Sequence, residues 1–561
     1  MRVLYLVSGP NNLWKSLIFI QILWISCGKV PQNVPEANVF YMNLDGGLST
    51  LDPAYARDQA SDWMTAQIFN GLVELDSLLK VRPSIAKSWE ISEDGLRYTF
   101  HLRKDIYFHP HPQFGADSSR TVNAQDFVFS FTRICNPQTA STGQWVFNGK
   151  ILGLKDFREG RHPTVKGFQA LNDSTFQILL TRPFPPLLGL LAMPYGRVVP
   201  QEIVEKLGED FQRFPIGTGP FQLFQWREND YLILHRNPTY FETLDQTPLP
   251  FLEAVKVNFI SSRLSAFIEF SQGKLDMLNG LDDSYKDELL LPNGEIAPEY
   301  RKAFQVLRSP QLNTEYLGMM VDSVANPDHP LLNSDLRKAL NYSLDRNQMV
   351  SYLLNGMGYP AESGFIPQGM PGFDAKAVKG FSYQADTAQY LLQKAGFSSS
   401  NSLPELTLYS TQKYARIAEF VQKSFENIGL KVQVQNLQGG ALRKEIYGAR
   451  IQFWRASWIA DYPDGENYLA LFYSPNHSPG GPNTTHFQNP KFDALYEAAI
   501  LEPSDSLRYL KYQEMERIVL QEAPIIPLYY DRSIRLVQPR VKGLVVNPMN
   551  HLVLKYVFLK H

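Results

Sequence analysis

Asp461 closes an apolar run and stands between Trp458 and Tyr462, in the segment Arg455-Ala-Ser-Trp-Ile-Ala-Asp-Tyr-Pro-Asp-Gly-Glu-Asn-Tyr-Leu469. A carboxylate held between aromatic walls suits a cation better than a packed core, because a charge taken out of water needs a partner. Arg455 lies inside the same run and must find an anion or a dense set of acceptors. A ligand carboxylate, an acidic ligand side chain or a ring of core carbonyls would each satisfy it. Tyr462-Pro-Asp-Gly465 is a turn signal, so Asp461 has two readings from these residues alone, cation partner or turn cap. Asp461 with Asp464 and Glu466 has the composition of a glycosidase carboxylate pair, yet Pro463 and Gly465 put them in one turn rather than across a cleft. The chain carries no G-x-S-x-G, no H-E-x-x-H and no cysteine set suited to catalysis or to a metal. His109 and His111 flank Pro110 and read as a surface turn, the alternative being a metal pair. No metal or cofactor is expected.

These residues need a framework that holds them apart from bulk water. Residues 451–460 carry little polarity besides Gln452, Arg455 and Ser457, the pattern of a strand buried on both faces. Around it the chain alternates strands and helices. Val39–Asn43 reads as a strand, followed by a helix over 61–69 with Ser61 or Asp62 as cap. Leu96–Asp105 alternates with period 2, as an antiparallel strand does, and Thr121–Arg133 has helical spacing. Residues 336–354 read as one amphipathic helix stopped at Gly356. Glu522–Tyr530 holds two prolines in an apolar run, which reads as a chain reversal between lobes rather than a central strand. At 561 residues the chain exceeds one core and implies two to four domains. A net charge of -2 with no basic stripe excludes nucleic acid as a partner.

Several blocks, met in this order, resemble the oligopeptide- and dipeptide-binding subunits of bacterial ABC importers. They are Leu51-Asp-Pro, Ile68-Phe-Asn-Gly-Leu-Val-Glu74, Ala86-Lys-Ser-Trp89, Phe100-His-Leu-Arg-Lys-Asp105, Thr121 to Ser130, Gly217-Thr-Gly-Pro-Phe221, Gly273-Lys-Leu-Asp276 and Trp458-Ile-Ala-Asp-Tyr462. Gly217-Thr-Gly-Pro is no phosphate loop, since no G-K-[ST] follows and Pro220 lacks a donor. The resemblance runs over residues 38–561 and implies an α/β, two-lobed periplasmic-binding-protein fold of the class II type, with an extra sub-lobe inserted in the first lobe. Residues 38–70, 201–312 and 527–561 would form lobe I, 71–200 the sub-lobe and 313–526 lobe II. It implies capture of peptides without reaction and delivery to the permease of an ABC importer, by a monomer. Asp461 would take the peptide α-amino group. Ser457 to Ile459 would pair with its backbone, and the loop near Gln59 would supply the opposite strand. Arg455 would meet the carboxylate end or an acidic side chain, with Trp458 and Tyr316 as further contacts. Ile459 stands where some relatives have a cysteine, Gln438-Gly-Gly440 offers no tryptophan, and Arg443 and Lys444 are approximate substitutes for cations. With Thr142-Gly-Gln144 in the sub-lobe, these departures leave a non-peptide solute as the alternative ligand. A sensor or chaperone on the same fold, or a secreted carboxylate-dependent hydrolase, is the remaining class.

The N-terminus carries an address. Leu17–Ser26 is a short apolar core after Arg2 and Lys15, below the roughly 20 residues of a spanning helix. Residues 1–26 read as a signal peptide and 27–37 as a tether, with Cys27 resembling a lipoprotein acylation site. The implied location is extracytoplasmic, on a lipid anchor. Cys27 and Cys135 are the two cysteines, so no intramolecular disulfide is expected after processing.

Overall fold

The computed structural model describes residues 38–282, 284–324, 327–397 and 405–560. The leader, Cys27 and the tether lie outside the described residues. The fold is mixed α/β and two-lobed, and a sheet of eleven strands runs through both lobes. On one side, Val39–Asn43 pairs in parallel with Ala254–Asn258, which pairs antiparallel with Tyr231–Arg236 and then Phe221–Arg227. On the other side, Phe453–Ile459 is followed by Leu406–Ser410 and Val432–Asn436, the last two in parallel. Helices cover these strands, with Phe40, Trp63 and Val255 in one core and Leu317, Leu340 and Phe425 in the other.

Two long strands join the lobes. Gln305–Met319 and Ile525–Val537 pair antiparallel along almost their whole length, and the register shifts between Pro310 and Thr314 and again between Glu315 and Tyr316. The expectation of a chain reversal at Glu522–Tyr530 is therefore corrected: Ile525 to Tyr530 is part of a crossing strand. Pro527 sits at the second shift, where a missing N–H costs no ladder bond. Its carbonyl accepts from Arg346 Nε at 2.6 Å.

A separate four-stranded antiparallel sheet, Ala86–Ile91, Arg97–Leu102, Thr175–Leu179 and Phe168–Asn172, forms within the inserted region. Helix Ala124–Cys135 packs on it through Phe127 and Phe131, its N-terminus closed by a capping box of Asn123 and Asp126.

Other local expectations shift. The first helix is Gln59–Ile68 and its cap is Asp58, whose carboxylate accepts from Ser61 N; Asp62 is drawn away by Arg197 and His551. The 336–354 stretch is two helices, Ser334–Tyr342 and Arg346–Leu354, because Asp345 restarts the helix by accepting from Gln348 N. His109 is buried, with Nε2 facing Gly219 O and Nδ1 facing Gly217 N. It pins the Gly217-Thr-Gly219 segment instead of forming a surface turn with His111. A Cβ at Gly217 or Gly219 would lie 2.1 Å from Ile68 O or 2.4 Å from Ile68 C, so both glycines serve close backbone approach.

Candidate binding cleft

The strand Phe453–Ile459 pairs fully with the first crossing strand, from Asn313 opposite Ile459 to Met319 opposite Phe453. On its other edge it meets Leu406–Ser410 at one position, Trp454 opposite Tyr409. Met320 N donates to Gln452 O at 2.8 Å and Ala460 N to Leu312 O at 2.9 Å, so the even-numbered residues turn their backbone groups to the crossing strand. By alternation the N–H and C=O of Ser457 and Ile459 face the unpaired edge. The strand is not buried on both faces as its composition suggests. Phe453 and Trp454 are buried, but the strand opens progressively to Ile459, which is 58% exposed. A row of free backbone donors and acceptors is the requirement for strand addition.

Asp461 follows that edge. Asn467 Oδ1 accepts from Trp458 Nε1 at 2.9 Å and from Asp461 N at 3.3 Å, while Asn467 Nδ2 donates to Asp461 Oδ2 at 3.3 Å. Asn467 thus sets the indole and the carboxylate together. Among the described residues no cation stands within ion-pair distance of Asp461. Water reaches the residue, yet the cleft walls crowd the carboxyl, and burial raises its pKa above the ordinary value while the Asn467 amide pulls it down. The chemistry offered is an uncompensated acceptor for a cation.

Asp461, Trp458 and Asn467 line a cavity of ≈ 580 Å³ together with Trp145 and Lys150 from the inserted region. The Trp145 and Tyr462 rings stack with centroids 6.5 Å apart. Lys150 donates to Trp145 O and lies over the Phe184 ring; burial lowers its pKa. Tyr462 and Tyr496 both donate to the buried Glu466, and Asp464 accepts from Arg508 and Tyr512. Those two carboxylates are committed to holding the turn, which leaves Asp461 as the open one of the three. Sequence reading missed Asn467, Trp145 and Lys150. Asn467 was readable in principle, as an amide one turn after Asp461; Trp145 and Lys150 are brought in by tertiary packing.

The remaining candidates are distributed unevenly. Ser457 and Ile459 lie on the free edge. Arg455 is not satisfied by carbonyls: it donates to Glu315, and its guanidinium carbon lies 3.2 Å from the Tyr414 ring centroid. Tyr316 is 4% exposed and packs edge-on against Phe365, so its ring belongs to the floor beneath the cleft. Gln59 is exposed and borders a different cavity, of ≈ 330 Å³, with Asp45, Asp58 and Trp63. Arg443 and Lys444 lie exposed on helix Gly439–Tyr447. Thr142 Oγ1 is 3.1 Å from Tyr195 Oη, and a Cβ on Gly143 would strike that ring.

Residues 80–480 match the model for bacterial extracellular solute-binding proteins, family 5 (middle region). The chain is 26% identical over 566 residues to the probable deoxycholate-binding periplasmic protein YgiS of Escherichia coli K12, covering 98% of this chain and 99% of that one. It is 27% identical over 520 residues to the periplasmic oligopeptide-binding protein OppA of the same organism, covering 91% and 90%. Its structure is similar to the unliganded open form of the periplasmic murein tripeptide-binding protein MppA, with a TM-score of 0.78 at 25% identity, covering 94% and 98%.

Proposed function

The chain belongs to the bacterial extracellular solute-binding proteins of family 5, and we propose that it captures peptides between its two lobes and delivers them to the permease of an ABC importer. The observation that carries this reading is the free edge at Ser457 and Ile459, running out at a carboxylate with no cation of its own. A peptide backbone pairs with the edge irrespective of side chains, and its α-ammonium supplies the charge that Asp461 lacks. Trp458 and Tyr462 flank Asp461 in the sequence, and the Trp458 indole shares Asn467 with its carboxylate. Gln59 reaches such a ligand only when closure carries its lobe over the cleft. The relatives named as peptide-binding support a peptide; the one named as deoxycholate-binding keeps a non-peptide solute as the second reading. The lobe limits follow the same reading, with 38–70, 201–312 and 527–561 as lobe I, 71–200 as the sub-lobe and 313–526 as lobe II. The cleft performs binding without a chemical step, and the protein works extracytoplasmically.

Asp461→Asn is expected to weaken peptide binding by about 2–5 kcal/mol, because the ligand ammonium is left buried and unpaired. N-acetylation of the peptide should weaken the wild-type complex by a similar amount and the variant complex much less. Calorimetry on the four combinations checks this; strictly additive losses would return Asp461 to a turn-capping role. Cys27 is proposed as the acylated residue after signal cleavage. Cys27→Ser should then move the protein from the membrane to the soluble fraction, since lipid chains hold firmly only in pairs or more. Unchanged retention would count against acylation.

A further inference from the structure

A peptide laid along the free edge turns successive side chains to opposite faces of the sheet. One face is the Asp461 cavity. On the other, the strand register sets Arg455, Ser457 and Ile459 beside Leu317, Glu315 and Asn313, and Glu315 beside Tyr529 with Asp531 next along that face. This second face is polar where a core would be apolar, and among its enclosed side chains the charges do not balance. Arg455 donates to Glu315, and Asn313 Nδ2 donates to both Glu315 and Asp531. Two carboxylates therefore share one guanidinium. The exposed Lys413 is the further cation acting on Asp531. Burial pushes Glu315 up to about 7 and raises Asp531 in spite of Arg455 and Lys413.

A second observation is independent of the charge count. Asn313 is 3% exposed, and its Oδ1 has no hydrogen-bond partner among the described residues. Its Nδ2 is fixed by two carboxylates, so the orphan atom is an acceptor at the edge of an anionic cluster. An N–H donor that also carries positive charge satisfies both deficits at once. Arg455 Nε is likewise buried without a partner.

We infer that Glu315, Asp531 and Asn313 form a subsite for a basic side chain, so that the protein prefers peptides carrying lysine or arginine at the position facing this cluster. The inference rests on the cleft being a peptide site and reverses the expectation that Arg455 attracts a ligand anion. It makes Glu315 and Asp531 specificity-determining residues.

The test is calorimetry of the full chain at pH 7.5 with trialanine hosts bearing lysine, norleucine or glutamate at each position in turn. Lysine should bind about tenfold or more tighter than norleucine, which keeps the aliphatic stem and lacks the ammonium, and glutamate more weakly, at alternate positions only. Glu315→Gln and Asp531→Asn should each remove most of that preference while binding of the norleucine peptide persists. Norleucine matching lysine at every position, or a lysine preference untouched in both variants, would overturn the proposal and leave the peptide site standing. If no peptide of the series binds, the peptide reading itself falls. Where a variant does not fold, the series on the unsubstituted protein decides alone.

Discussion

Ionisable residues in this cleft are defined less by their own type than by what the fold sets against them. Asp461 and Asp464 are separated by two residues, yet one faces open cleft and the other is consumed by Arg508 and Tyr512. Arg455 was legible as an arginine in need of an anion, but its anion lies in a strand distant in sequence, and no spacing rule links the two. Glu516 shows the same dependence beneath the site. Its carboxyl is buried, accepts from Ile366 N at 2.9 Å, and is pushed up to about 7 by desolvation. Its folded value exceeds its unfolded value, so the folded chain holds the proton more tightly. The stabilisation is fully present below the ordinary glutamate range and is lost as pH rises towards about 7. Glu516→Gln keeps the shape and an acceptor but cannot ionise. We expect its stability relative to the parent to improve by roughly 2–3 kcal/mol between pH 5 and pH 8. Urea unfolding at both pH values measures this, and parallel pH profiles for the two proteins would refute it. Glu315 titrates in both and leaves the difference unaffected.

At the scale of elements, the sequence was readable where a local rule decides and misleading where the partner strand decides. The capping box at Asn123 and Asp126 and the period-2 pattern of Arg97–Leu102 are local, and both elements form close to where their residues put them. Pro524 and Pro527 argued against a central strand by the same kind of rule. The structure admits Pro527 because the crossing strands slip register beside it, a property of the pair and not of either sequence. The site strand was misjudged for a related reason. Its apolar residues fitted two buried faces, whereas the neighbouring strand departs after Tyr409 and leaves the far end open. That departure creates the edge on which peptide capture depends. The Gly217-Thr-Gly219 block was recognisable as a motif, but its role is steric: it lets the backbone pass against the end of the first helix, with Thr218 Oγ1 joined to Asn70.

For the molecule as a whole, the way the two lobes are joined governs what a ligand can do. Besides the crossing strands Gln305–Met319 and Ile525–Val537, the inserted region reaches the far lobe through Trp145 on Tyr462 and through Gly189 near Pro463. Strand pairs resist stretching but bend where their ladder is interrupted, and the interruptions at Pro310 to Thr314 and at Glu315 to Tyr316 fall at the level of the cleft. The cavity beside Asp461 is lined from both sides, by Trp145 and Lys150 and by Trp458 and Asn467. A ligand filling it gains contacts in the closed arrangement that an open one cannot supply, and that difference is what shifts the population. Bending confined to these two short interruptions would let the helices and strands on either side move as rigid bodies. A peptide that binds with micromolar affinity or better should therefore lower the radius of gyration in small-angle X-ray scattering, while the far-ultraviolet circular dichroism stays nearly constant. A scattering curve unchanged at saturation would show that the lobes do not close on the ligand. A large change in circular dichroism would show that binding refolds an element rather than bending the crossing strands.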